Sequence, residues 1–252
     1  ISIDSLAQWT ENYVWKNADH LLPVTQVLAN IIADEGISHE KMTVIHNGIN
    51  LKHFPWPPVA SKEIIQQYKL ENRLILGFVG FVREWHRLDR VLDAIASHPE
   101  QKWHLFLVGD GPGRDFLKNH AEKLGITNRM TITGIVSREK MPQYQSVFDL
   151  ALQPDVTHYA SPLKIFEYMA LGKAIIAPDM DNIKEILTAD KDALLFTNEE
   201  DFKEKLIQLC ESKQLRSQLG GQAKETINEK EFYWLRNARK ISDIFKRLIE
   251  IN

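Results

Sequence analysis

The 252-residue sequence holds a single cysteine, Cys210. One thiol cannot close an internal disulfide, and no cysteine framework for zinc exists. A reducing compartment suits such a chain. No apolar run approaches the ~18–20 residues that span a bilayer. No excess of positive charge is present either: 31 Lys and Arg face 34 Asp and Glu, a net charge of −3. That balance argues against a nucleic-acid binder driven by bulk charge, yet it leaves room for a local basic pocket. The nine histidines show no His-x3-His spacing, so no metal site is expected. There is no Gly-x-Ser-x-Gly and no Cys/His pair in a helical context, so covalent hydrolase chemistry has no support. The N-terminus shows no signal-peptide pattern. It opens Ile1-Ser2-Ile3 rather than with Met, as a fragment or a processed product would.

What is present is a regular alternation. His20–Val24 and Lys41–Ile45 read as short apolar strands. Thr25 reads as the N-cap of a helix with Val27, Leu28, Ile31 and Ile32 on one face, closed by Gly36. Three prolines within Pro55-Trp56-Pro57-Pro58 cannot continue a helix or a central strand, and they mark a linker or a stiff surface loop. Beyond it, Leu74–Val79, Trp103–Val108, Met130–Thr133, Leu150–Leu152, Ala174–Ala177 and Ala193–Phe196 read as strands. Helical patterns lie between them. Continuous apolar strands alternating with helices predict an α/β fold: a Rossmann-like, doubly wound parallel sheet with helices on both faces. Ligands of such sheets bind at the carboxyl ends of the strands. Trp234–Ile251 reads as a long amphipathic helix. Its basic residues would suit a membrane surface, but packing across a domain interface is the blander reading.

Three strand ends carry candidate chemistry. After the first strand of the regular part comes Gly80-Phe81-Val82-Arg83-Glu84-Trp85-His86-Arg87. Arg83, His86 and Arg87 would put positive charge where a phosphate gains charge-assisted hydrogen bonds; equally, the arginines could be solvated. Gly109-Asp110-Gly111-Pro112-Gly113 resembles part of a dinucleotide fingerprint. The third glycine is misplaced and Pro112 lacks an N–H, so a structural turn is the better reading. The third segment is Ser161-Pro162-Leu163-Lys164-Ile165-Phe166-Glu167, ending at Gly172. Ser161 suits an N-cap, Pro162 the first helical position and Gly172 the C′ position. A helix start favours an anion, and Lys164 in the first turn opposes the dipole unless an anion sits beside it. Glu167 shares its face; the bland alternative is a surface i,i+3 ion pair.

These residues, with Ala18–Thr25, Val44–Asn50, Thr133–Val136 and Glu167–Ala177, resemble the family-4 glycosyltransferases of the two-Rossmann GT-B architecture, over about residues 18–250. The resemblance implies residues 1–54 as the tail of an N-terminal, acceptor-side domain. It implies a linker at 55–60, a nucleotide-sugar donor domain at 61–230, and a helix at 231–252 crossing back to the first domain. It further implies transfer of a sugar, with retention, from a nucleotide-diphosphate sugar to a glycan or lipid-linked acceptor. Glu167 would hold the ribose, and Gly134, Ile135 and Val136 the base. Gly80, Arg83, His86 and the turn Ser161, Pro162, Leu163 and Lys164 would hold the diphosphate. Lys164 and Glu167 would carry the chemistry, with no metal. Tyr159 stands where the family has a first glutamate, Phe81 where it has an arginine, and His86 where it has a lysine. The chain is expected to bind nucleotide and to transfer little by itself. A cytoplasmic location, at the inner face of a membrane, is the family-level expectation. Two alternatives stay open: a nucleotide-sugar epimerase, or a binding module that has lost its chemistry.

Overall fold

The computed structural model describes residues 4–251. Six apolar segments form strands: β1 (Leu74–Val79), β2 (Trp103–Val108), β3 (Met130–Ile132), β4 (Leu150–Leu152), β5 (Ala174–Pro178) and β6 (Leu194–Phe196). All pair in parallel. Their order across the sheet is β3-β2-β1-β4-β5-β6. The chain therefore winds outward from β1 to β3, returns to the other side of β1, and winds outward again. This is the doubly wound sheet expected from the alternation.

Each face of the sheet carries its own apolar core. On one side lie α3 (Lys62–Gln67), α7 (Leu163–Ala170) and α8 (Asp181–Lys184), with Ile64, Ile165, Phe166 and Ile183 pointing inward. On the other lie α4 (Asp89–Ala96), α5 (Arg114–Lys123) and α9 (Glu199–Glu211), with Leu92, Leu117 and Phe202. The helix α10 (Lys213–Glu229) contributes Leu219 to one core and Ala223 to the other. The inner strands are buried on both faces, which is why they read as unbroken apolar runs rather than alternations. Gly77 is there for packing: a Cβ at that position would lie 2.1 Å from the Phe148 ring.

The first fifty residues depart from expectation. After α1 (Asp4–Asn17), the segments 20–24 and 41–45 form no ladder, only the bridge between Leu21 and Met42. Three backbone hydrogen bonds hold them, Leu21 N to Lys41 O, Thr43 N to Leu21 O and Ile45 N to Pro23 O, beside a side-chain contact of His20 Nε2 with Thr43 Oγ1. Pro23 has no N–H to give, so the pairing stops. Thr25 caps α2 (Gln26–Asp34) as expected, its hydroxyl accepting from Leu28 N at 3.1 Å.

This region is tied to the sheet domain from two sides. Ile49 N donates to Phe232 O, and Asn237, on α11 (Trp234–Ile251), donates to His46 O at 2.7 Å. Thr25 Oγ1 donates to Tyr159 O, Asn47 Nδ2 donates to Ser161 O, and Glu185 accepts from Gln26 N and Val27 N. The proline-rich segment at 55–58 is docked as well. Gly172 follows α7 at φ +57, and a Cβ there would meet the Trp56 ring at 2.1 Å. That segment and the C-terminal turn of α7 therefore fit only around glycine.

Candidate functional site

The strand order reverses between β1 and β4. The loops that leave their carboxyl ends diverge there, which opens the crevice where ligands of such sheets bind. The loop after β1 begins at Gly80 and packs backbone to backbone on the loop after β2. Val82 N donates to Asp110 O at 2.8 Å, and Gly113 N to Val82 O at 3.0 Å. A Cβ on Gly109 would lie 2.1 Å from Gly80 O, and one on Gly111 would lie 2.2 Å from Val82 O. These glycines serve loop packing, in line with the structural reading of that turn. Asp110 is spent within it, on Gly111 N and Arg114.

The loop after β4 leads into α7. Here the cap differs from expectation: the N-cap is Pro162 and the helix begins at Leu163. Ser161 is one residue too early to cap. Its carbonyl accepts from Asn47, and its buried hydroxyl has no partner among the described residues. The first N–H groups of α7, on Leu163 and Lys164, have no intrahelical acceptor, and neither donates to a loop carbonyl.

Lys164 stands over this helix start. Its ammonium sits 3.9 Å from the centre of the Phe78 ring, and 3.2 Å from where a Cβ of Gly80 would be. No ion pair joins it to Glu167 or to any other acid among the described residues. The bland i,i+3 pair is therefore not formed. Burial lowers its pKa to about 7, against a smaller upward pull from Glu167. An amine without an acid partner among the described residues, carried on the first turn of a helix, is a combination that suits an anion.

His86 does not supply the charge expected of it. It is buried, its Nδ1 accepts from Arg83 N at 3.1 Å, and its ring lies 4.0 Å from that of Trp85. Burial, then the Lys164 charge, depress its pKa to about 4. A neutral imidazole braces the loop beside the amine. Arg87 pairs with Asp89 and Glu199. Arg83 is exposed and lies over the Phe81 ring at 5.1 Å, with no acid partner among the described residues. Tyr159 is exposed, at the turn that Thr25 holds.

Glu167 lies one turn along α7 from Lys164 and lines a cleft of about 340 Å³ with Asn50, His53, Arg138, Met141, Leu163 and Trp234. Burial raises its pKa. Gln145, on α6 (Met141–Ser146), donates to its Oε2 and opposes that rise. A second cleft, of about 200 Å³, is lined by Gly80, Phe81, Gly109, Asp110, Ile135, Val136 and Met141. Gly134 sits at its rim, bridged to Gly109. Met141 is common to both clefts. The structure thus brings Gly80, Ile135 and Val136 to one cleft, Leu163 and Glu167 to the next, and Lys164 against Gly80. Sequence reasoning missed Arg138, Gln145, Asn50 and His53. Arg138, a basic residue just past the expected base loop, left a signal, as did Asn50, the last residue of the segment Val44–Asn50. Among the described residues no group of acids, histidines or cysteine is arranged to hold a metal ion.

The fold is a doubly wound α/β sheet with the Lys164 amine at its topological switch point. Residues 60–226 match the family described as glycosyl transferases group 1. The chain belongs to that family. Over 241 residues it is 24% identical to an uncharacterized glycosyltransferase of Methanocaldococcus jannaschii, which spans 94% of this chain and 60% of the relative. It is also 25% identical over 127 residues to the alpha-D-kanosaminyltransferase of Streptomyces kanamyceticus, covering 50% of this chain and 33% of that one. Among solved structures, Anabaena HepE in complex with UDP and glucose superposes with a TM-score of 0.80 at 21% identity, over 93% of this chain and 65% of that one. Sucrose-phosphate synthase from Thermosynechococcus elongatus superposes at 0.82 with 19% identity, over 96% and 61%. The GT-B expectation for the fold holds, and the relatives are transferases rather than epimerases. The chain spans about 60% of the M. jannaschii relative.

Proposed function

We propose that this chain carries the donor site of a retaining, family-4-type glycosyltransferase that uses a nucleotide-diphosphate sugar. One observation supports this most: the unpaired Lys164 ammonium at the start of α7, against Gly80 and one turn before Glu167. The base is assigned to the cleft at Gly134, Ile135 and Val136, the ribose hydroxyls to the Glu167 carboxylate, and the diphosphate to the Ser161–Lys164 turn, with Gly80 and Arg83. His86 contributes as a neutral brace.

Breaking the glycosidic bond puts negative charge on the leaving diphosphate. Lys164 and the free N–H groups of Leu163 and Lys164 face that charge from a fixed, partly dry position, where such groups stabilise a transition state most. No metal is needed for that charge, since the ammonium and helix N–H groups meet it. The acceptor, a glycan or lipid-linked sugar, is assigned to the complementary half of the two-domain architecture. Residues 1–54 are assigned to that half, and 231–252 to the helix crossing back to it. Exposed Ile241, Phe245 and Ile249 on α11 suit a covered face. Cytoplasmic work, with peripheral association at a membrane, fits a lipid-linked acceptor. No helix among the described residues is long and apolar enough to cross one.

Calorimetric titration with UDP and GDP tests the donor site. One of the two should bind, and Glu167→Ala should abolish or strongly weaken it. Unchanged binding by Glu167→Ala would refute the assignment.

A further inference from the structure

Gln145 is fully buried on α6, directly behind the cleft. Its Nε2 donates to Glu167 Oε2 at 2.5 Å, and its Oε1 has no partner among the described residues. The helix that carries it is fixed from both sides. Lys173 Nζ donates to Ser146 O at 2.7 Å and Phe148 O at 2.8 Å, and Ser146 Oγ accepts from Ser61 N. A buried amide with an orphan acceptor costs stability that an apolar side chain of equal length would not. Polar groups kept at such a cost cluster at functional sites.

We propose that Gln145 is the positioning residue for Glu167: its amide fixes one carboxylate oxygen and leaves the other turned to the cleft for a vicinal diol. This rests on the reading of Glu167 as the ribose acceptor. The charged and titratable groups around Glu167 are Lys164 on its own helix, and Arg138 and His53 across the cleft. Tyr168 is its neighbour in sequence. With Gln145 absent, Arg138 and Lys164 are the groups left to orient the carboxylate, and neither lies on α6. A charge-assisted hydrogen bond that orders its acceptor adds roughly tenfold in affinity. It also holds the carboxylate ionised, so its loss moves protonation of Glu167 to higher pH.

The test titrates UDP and GDP into wild type, Gln145→Met, Gln145→Leu and Glu167→Ala between pH 5 and 8, with a thermal melt of each. Gln145→Met should bind about tenfold more weakly, with the acid limb of binding shifted to higher pH. The thermal melt checks that each variant is folded at the temperature of the titration. A residue that merely packs would leave the acid limb in place. Gln145→Leu gives the same readouts should the methionine variant not fold. Wild-type affinity and an unmoved acid limb in whichever Gln145 variant folds, with binding lost in Glu167→Ala, overturn this inference alone. No binding by wild type, or wild-type binding by Glu167→Ala, overturns the site reading and this inference with it.

Discussion

If Lys164 faces the diphosphate, donor binding must take up a proton near neutral pH. Its pKa stands at about 7 because burial outweighs the pull of Glu167. A diphosphate placed against it favours the ammonium and raises that pKa. The sign follows: affinity is full below pH 7 and is lost as pH rises. At pH 7 about half of the free sites carry the ammonium, and at pH 9 about one in a hundred, since each pH unit above the pKa is tenfold. Affinity should therefore fall up to about 50-fold between pH 7 and pH 9, for as long as the bound-state pKa stays above 9. The assay is calorimetry with a nucleotide sugar, whose diphosphate has no proton to lose in this range, in two buffers of different ionisation enthalpy. At pH 8 the enthalpies should report uptake of nearly one proton. Lys164→Arg, with its charge fixed, should flatten the profile and abolish the buffer dependence. A wild type with flat affinity and buffer-independent enthalpy would refute the reasoning.

Three further outcomes follow from contacts around the same strand ends. Tyr168 is fully buried and its hydroxyl accepts from Val79 N at 3.0 Å; Tyr168→Phe strands that amide and should cost about 1–3 kcal/mol in a denaturant titration. A value near zero would mean the contact contributes nothing. Gly109→Ala drives a Cβ into the Gly80 carbonyl at a positive φ, so it should cost more than about 1 kcal/mol and weaken nucleotide binding as the loop shifts. Phe245, exposed on α11, should tolerate Asp with less than about 0.5 kcal/mol of change in this chain; a larger loss, by thermal melt, would place it in a contact.

The sheet was legible because β1, β2, β4 and β5 are buried on both faces, and such burial leaves unbroken Val, Ile, Leu and Phe runs. The early segments at 20–24 and 41–45 carry apolar residues such as Leu21, Leu22, Val44 and Ile45, but among the described residues they pair with each other, around a proline, and yield one bridge. The Ser161 cap was misread by one residue. The rule weighs the serine hydroxyl alone, whereas Asn47, more than a hundred positions away, holds the Ser161 carbonyl. His86 looked cationic from its position, and its burial beside Lys164 makes it neutral. The glycines at 109 and 111 were visible as a turn, but their partner, the Gly80–Val82 backbone, was not. Gln145 left no trace at all: a glutamine in a six-residue helix carries no motif, and its role appears only when α6 and α7 meet. Lys164 was singled out because a lysine in a first helical turn opposes the dipole, and Glu167 because it shares that helix face and matches the family resemblance.

The most direct measurement is a crystal structure of this chain with UDP or GDP bound. The ribose hydroxyls should lie within hydrogen-bond reach of Glu167, and the diphosphate should sit on Leu163 N, Lys164 N and Lys164 Nζ, with the base against residues 134–136. A nucleotide bound elsewhere, or one whose phosphates point away from α7, would contradict the account.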